Sequence, residues 1–111
     1  MTDTETTTDE LATVETFMRD AGITYRMLDY WTTQGHLIAV AEQNPGSGAH
    51  RQWEQRELDI ACVMVRLREA DMPLSLAARL AREHVELTEN TAPTTHEIVP
   101  GIKIEIWPTD V

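Results

Sequence analysis

The chain has 111 residues, with 9 basic and 19 acidic side chains, a length that holds one small domain around one core and excludes a second. With 41% hydrophobic and 25% charged residues it has the composition of a globular protein, neither collagenous nor wholly disordered. The lone Cys62 in an apolar run excludes a disulfide framework or paired-cysteine metal site and predicts a buried reduced thiol; no apolar run nears the ~18 residues of a membrane span, and the N-terminus lacks a basic-then-apolar leader, so a cytoplasmic protein without a membrane partner is expected.

The net charge of −10 is unevenly spread. Residues 1–22 hold one basic and six acidic groups, residues 83–111 the same, and residues 23–82 seven of each. The neutral centre carries only arginines as cations: Arg26, Arg51, Arg56, Arg66, Arg68, Arg79 and Arg82. Clustered on one face they could meet a polyanion, while the acidic flanks oppose non-specific attraction.

In chain order, residues 1–12 begin "MTDTETTTDE", Thr and acid with too little apolar surface to repay ordering, and read as a disordered acidic tail. Thr13 can cap a first helix in which Val14, Phe17, Met18 and Ala21 share one apolar stripe at i, i+3, i+4 and i+7. Gly22 permits a left-handed turn, Ile23 plugs it, and Thr24 caps a second helix, which makes a helix-turn-helix. In that second helix Leu28 and Trp31 face inward with Met27 beside them, while Arg26, Asp29, Tyr30 and Thr33 share the opposite face. Gly35 stops it.

Two strand-like pieces, Leu37–Ala41 and His50–Trp53, then flank a tip rich in Asn44, Pro45, Gly46, Ser47 and Gly48, the pattern of a two-stranded wing. A third helix is expected from Gln55 to Ala70, with apolar residues on two adjacent stripes and so a central, buried position. Pro73 opens a fourth helix running to about Val85, with Ala77, Leu80, Ala81 and His84 inward. "LTENTAPTTHE" reads as a polar linker. Ile102, Ile104 and Ile106 alternate on one face of a final strand.

Between Thr13 and Val85 the chain resembles the winged helix-turn-helix domain of the MerR family, in particular small phage and actinobacterial members reduced to that domain. The resemblance is carried by "TVETFMRDAGIT", "YRMLDYWTTQGHL", "GSGAHRQWEQRELD" and "LREADMPLSLAARL", in that order. It implies a mainly α fold with a small β wing, four helices and a two-stranded wing over residues 13–86; the linker and C-terminal β-strand read from the pattern occupy residues 87–111. It also implies that Arg26 is the recognition-helix arginine, that Tyr30 touches the sugar-phosphate backbone, and that Arg51 grips phosphate from the wing. Trp31 and Trp53 match positions that pack helix and wing onto the core. The chain departs from the family at Asp29, which stands where a basic residue is usual. Pro93, Pro100, Gly101 and Pro108 leave no room for the family's long dimerising helix, and no paired cysteines or effector pocket follow.

The expected partner is therefore double-stranded DNA, contacted through Thr24, Tyr25, Arg26, Tyr30, Thr33, His50 and Arg51, since a short helix in the major groove presents only a few residues to bases and phosphates. Asp29 either accepts from a cytosine amino group or pairs with Arg26, and the ion pair is preferred. The C-terminal strand must satisfy its backbone groups either on Leu37–Ala41 or on its copy in a second chain. The second is preferred, with Ile102, Ile104 and Ile106 as the homodimer contact. The histidines His36, His50, His84 and His96 lack metal-ligand spacing, and "NPGSG" lacks the ending of a phosphate loop, so neither enzyme activity, cofactor, metal nor small-molecule effector is expected. Three functions remain: a small sequence-specific transcriptional regulator, an excisionase-like recombination directionality factor, and an acidic protein-interaction module whose DNA face has decayed.

Overall fold

A computed structural model describes residues 11–40, 51–87 and 93–107. Thr13 starts the first helix as expected. Its hydroxyl accepts from the Thr16 amide at 3.4 Å, and the Thr16 hydroxyl accepts from the Thr13 amide at 2.8 Å, a reciprocal capping box. This helix, α1, is α-helical over Val14–Thr16 and continues as a π-helical turn over Phe17–Ala21. The wider winding keeps Phe17 and Ala21 buried but swings Met18 out to solvent, so the expected four-residue stripe loses that member.

Gly22, at φ 74°, makes the left-handed turn into α2, Tyr25–Thr33. The Thr24 hydroxyl caps α2 by accepting from the Met27 amide at 3.1 Å. At the other end the Gly35 amide donates to the Thr32 carbonyl and the His36 amide to the Trp31 carbonyl. This Schellman closure requires the left-handed φ of 87° at Gly35. Leu28 and Trp31 are buried, whereas Met27 lies on the exposed rim.

The central helix α3, Gln55–Glu69, and α4, Leu74–Leu87, complete four helices. Between them Asp71 takes the left-handed conformation at φ 68°, closing α3 as Gly35 closes α2. Phe17, Ile23, Leu28, Trp31, Leu37, Trp53, Leu58, Ile60, Met64 and Ala81 share one core. Glu57 at the start of α3 is also buried, 3% exposed. It receives both Arg82 guanidinium nitrogens at 3.0 and 2.8 Å and the Ile38 amide at 2.9 Å, while Arg82 also donates to the His36 carbonyl at 3.1 Å. One fully paired buried ion pair thus ties α3, α4 and the loop after α2 together.

Among the described residues the expected wing strands meet through the bridge of Ala39 to Trp53, and the Val40 amide donates to the Gln52 carbonyl at 2.8 Å. Residues 41–50, and with them the expected tip and His50, lie outside the described residues. The backbone N–H and C=O of Trp53 are both taken by Ala12, at 3.0 and 2.7 Å, so Trp53 is bridged by Ala12 on one side and by Ala39 on the other. Ala12, expected in the tail, is instead buried.

The C-terminal part also differs from expectation. Thr94–Val99, whose first four residues fall in the expected linker, is a strand, β1, and pairs antiparallel with β2, Ile102–Ile106, across a Pro100–Gly101 turn. Within the described residues β2 therefore pairs with β1 rather than with residues 37–40 of the expected wing strand. Ile106 is buried and Ile104 half-buried on the hairpin face that docks on α4, so only Ile102 of the expected dimer row stands open.

Polar residues attach this hairpin. The His84 Nδ1 lies 2.7 Å from the Thr94 hydroxyl, the His96 Nε2 lies 2.5 Å from that same hydroxyl, and the His96 Nδ1 donates to Glu83 Oε1 at 2.8 Å. The hydroxyl has one proton, so it donates to one ring and accepts from the other. Burial, then His96 and Arg66, hold the His84 imidazole below its ordinary pKa, and the hydrogen bond from His96 holds the Glu83 carboxyl low.

Candidate nucleic-acid interface

The outward face of α2 is polar and aromatic because its inward positions, Leu28 and Trp31, take the core. Tyr25, Arg26, Tyr30 and Thr33 are exposed, with Tyr30 at 53%. Among the described residues no ion pair engages Arg26, so its guanidinium faces solvent. The Thr24 hydroxyl is exposed but spent as the cap of α2, which leaves it a positioning group at the N-terminus of the helix.

Arg51 is the second cation beside this face. Trp53, one turn of strand further on, anchors it. The indole is buried with its ring 5.0 Å from Phe17, and its N–H donates to the Thr32 hydroxyl at 3.2 Å. The Arg51 guanidinium carbon sits 5.8 Å from the Trp53 ring centroid, a cation–π placement. Its Nη2 donates to Asp29 Oδ1 at 2.5 Å. The expected Asp29–Arg26 pair is therefore replaced by Asp29–Arg51, because the chain returning into Trp53 runs alongside α2 and brings the more constrained arginine closer. This long-range pairing has no trace in the local pattern of the helix.

The remaining cations are dispersed. Arg82 is committed to Glu57, Arg79 to Glu83 and the Glu97 carbonyl, and Arg68 to the Met72 carbonyl. Cys62, expected buried, is half-buried, its thiol 3.8 Å from the Asp20 carbonyl, and burial with Asp59 and Asp20 nearby pushes its pKa up. No group of three metal-ligating side chains occurs among the described residues, and no described helix is long and apolar enough to cross a membrane.

The family model for the MerR HTH family regulatory protein matches residues 12–84. The chain belongs to this family. The match begins at the residue that pairs with Trp53 and ends at His84, so it takes in Ala12 and stops short of the hairpin. Searches of curated proteins and of solved structures returned no match. In this MerR-family chain, α1, the Gly22 turn and α2 form the helix-turn-helix, and the face of α2 that the core leaves free carries Arg26, Tyr30 and Thr33 beside Arg51.

Proposed function

We propose that this protein is a sequence-specific double-stranded-DNA-binding protein of the winged helix-turn-helix type, acting as a small transcriptional regulator. It lays the outward face of α2 in the major groove with Arg51 beside the adjacent backbone. The supporting observation is the free face of α2, where an unpaired arginine, two exposed tyrosines and a threonine stand on a helix held rigidly by two caps. Arg26 can reach a guanine edge or a phosphate, and the tyrosine hydroxyls can donate to phosphate oxygens. The net charge of −10 keeps sequence-independent attraction low, so binding depends on this face. A gel-shift survey of genomic fragments at low salt tests the reading. It predicts retardation of a small subset that survives excess random competitor. Uniform retardation, or none, would contradict it.

A further inference from the structure

Asp29 is the single acidic residue of α2, and it stands among the residues proposed to meet DNA, where phosphates would repel it. Its surroundings give it a defined role. Oδ1 is taken by Arg51, whose side chain is only 20% exposed against 47% for Asp29. Arg51 is in turn fixed over the buried Trp53 ring. Among the described residues no hydrogen bond engages Oδ2. The carboxylate is thus partly neutralised, oriented through Arg51 by the core, and left with one oxygen free to accept. Its Cα lies three residues after Arg26 and one before Tyr30, on the same face.

From this geometry we propose that Asp29 is a specificity-determining residue that accepts a hydrogen bond from the exocyclic amino group of a cytosine in the major groove. The inference rests on the proposed DNA-binding reading. The chemistry of the base edges selects the partner: guanine presents N7 and O6 and thymine presents O4, all acceptors that a carboxylate oxygen avoids, adenine sets its N6 amino donor beside the N7 acceptor, and cytosine presents a donor with no acceptor beside it. Arg51 supports the contact in two ways. It offsets part of the cost of bringing a carboxylate near phosphates, and by holding Oδ1 it leaves Oδ2 as the oxygen available to accept. Asp29 disfavours guanine and thymine outright and adenine in part, as much as it selects cytosine, a restraint that suits a protein whose overall charge already disfavours indiscriminate binding.

The test is selection of bound duplexes from a randomised library by the parent, Asp29→Ala and Asp29→Asn, followed by competition between the parent's best site and the same site with one C·G pair replaced. The parent is expected to lose about tenfold or more in affinity at one C·G position, within the range of a single base contact. Asp29→Ala should bind both sites within about twofold, and Asp29→Asn should shift the preference at that position toward adenine, whose N6 and N7 suit an amide. Identical sequence preferences in all three proteins would overturn the role of Asp29 and leave the DNA-binding reading standing. So would an affinity gain in Asp29→Ala that is uniform across sequences, since the carboxylate would then be only an electrostatic brake. A parent that selects no sequence would remove both readings.

Discussion

Replacing Trp53 with Ala removes the side chain on which both the core and the DNA-facing surface depend. The indole is 1% exposed, and a buried aromatic of this size hides ~150–250 Å². At ~25 cal/mol per Å² that area is worth about 4–6 kcal/mol. A compact unfolded state and partial collapse of the cavity bring the expected loss to about 3–5 kcal/mol. The lost N–H bond adds little, because the Thr32 hydroxyl keeps its own acceptor, the Leu28 carbonyl at 2.8 Å. Against a typical small-domain stability of ~5–15 kcal/mol this is a large share. In urea, with a slope of ~1–3 kcal/mol per M, the unfolding midpoint should fall by about 2 M, or the variant should fail to fold. Trp107→Ala is the control, since that indole is 60% exposed and its removal should cost under ~0.5 kcal/mol. Equal midpoints for Trp53→Ala and the parent would refute the placement of Trp53 in the core.

Glu57→Ala leaves Arg82 and the Ile38 amide without their shared acceptor and should cost about 3–5 kcal/mol, read as a lower melting temperature. A melting temperature equal to the parent's would show that water replaces the carboxylate at no cost. Because the His84 pKa is depressed in the fold, the unfolded chain gains a proton first as pH falls below the ordinary 6.5, so stability should decline from there. A second decline should begin below 4.5 as Glu83 loses its stabilised charge. Urea midpoints measured across this range check the sign, and His84→Asn should flatten the upper step; parallel curves for the two proteins would exclude His84 as its source. Deleting residues 1–10, which carry four acidic and no basic groups, should raise affinity for random-sequence DNA, most strongly at low salt. A binding titration showing a loss instead would make the segment a contact arm.

The helical part was legible because its signals are local. Thr13, Thr24, Gly22 and Gly35 punctuate α1 and α2 by short-range hydrogen bonds and left-handed backbone, and apolar spacing marks α3 and α4. The hairpin was legible only by half. In β2 the inward residues are Ile104 and Ile106, but in β1 they include Thr94 and His96, whose burial is sustained by the chain of hydrogen bonds to His84 and Glu83. A strand satisfied in that way shows no apolar alternation. Ala12 with Trp53, Glu57 with Arg82, and Asp29 with Arg51 were hidden for a related reason, since each pairs residues at least 19 apart in sequence. The exposed face of α2 was read correctly as a face, but the cation that pairs with its Asp29 came from outside the helix. The π-helical turn that exposes Met18 breaks a periodicity that assumes 3.6 residues per turn.

Affinity of a selected duplex for the parent and for Arg26→Ala, followed by fluorescence anisotropy at fixed salt, tests the central claim most directly. Arg26 lies in the first turn of α2, on the proposed contact face, and makes no ion pair among the described residues. Its removal should therefore weaken specific binding by about 1–3 kcal/mol while leaving the melting temperature unchanged. Equal affinities for the two proteins would contradict the assignment of the α2 face as the DNA-binding surface.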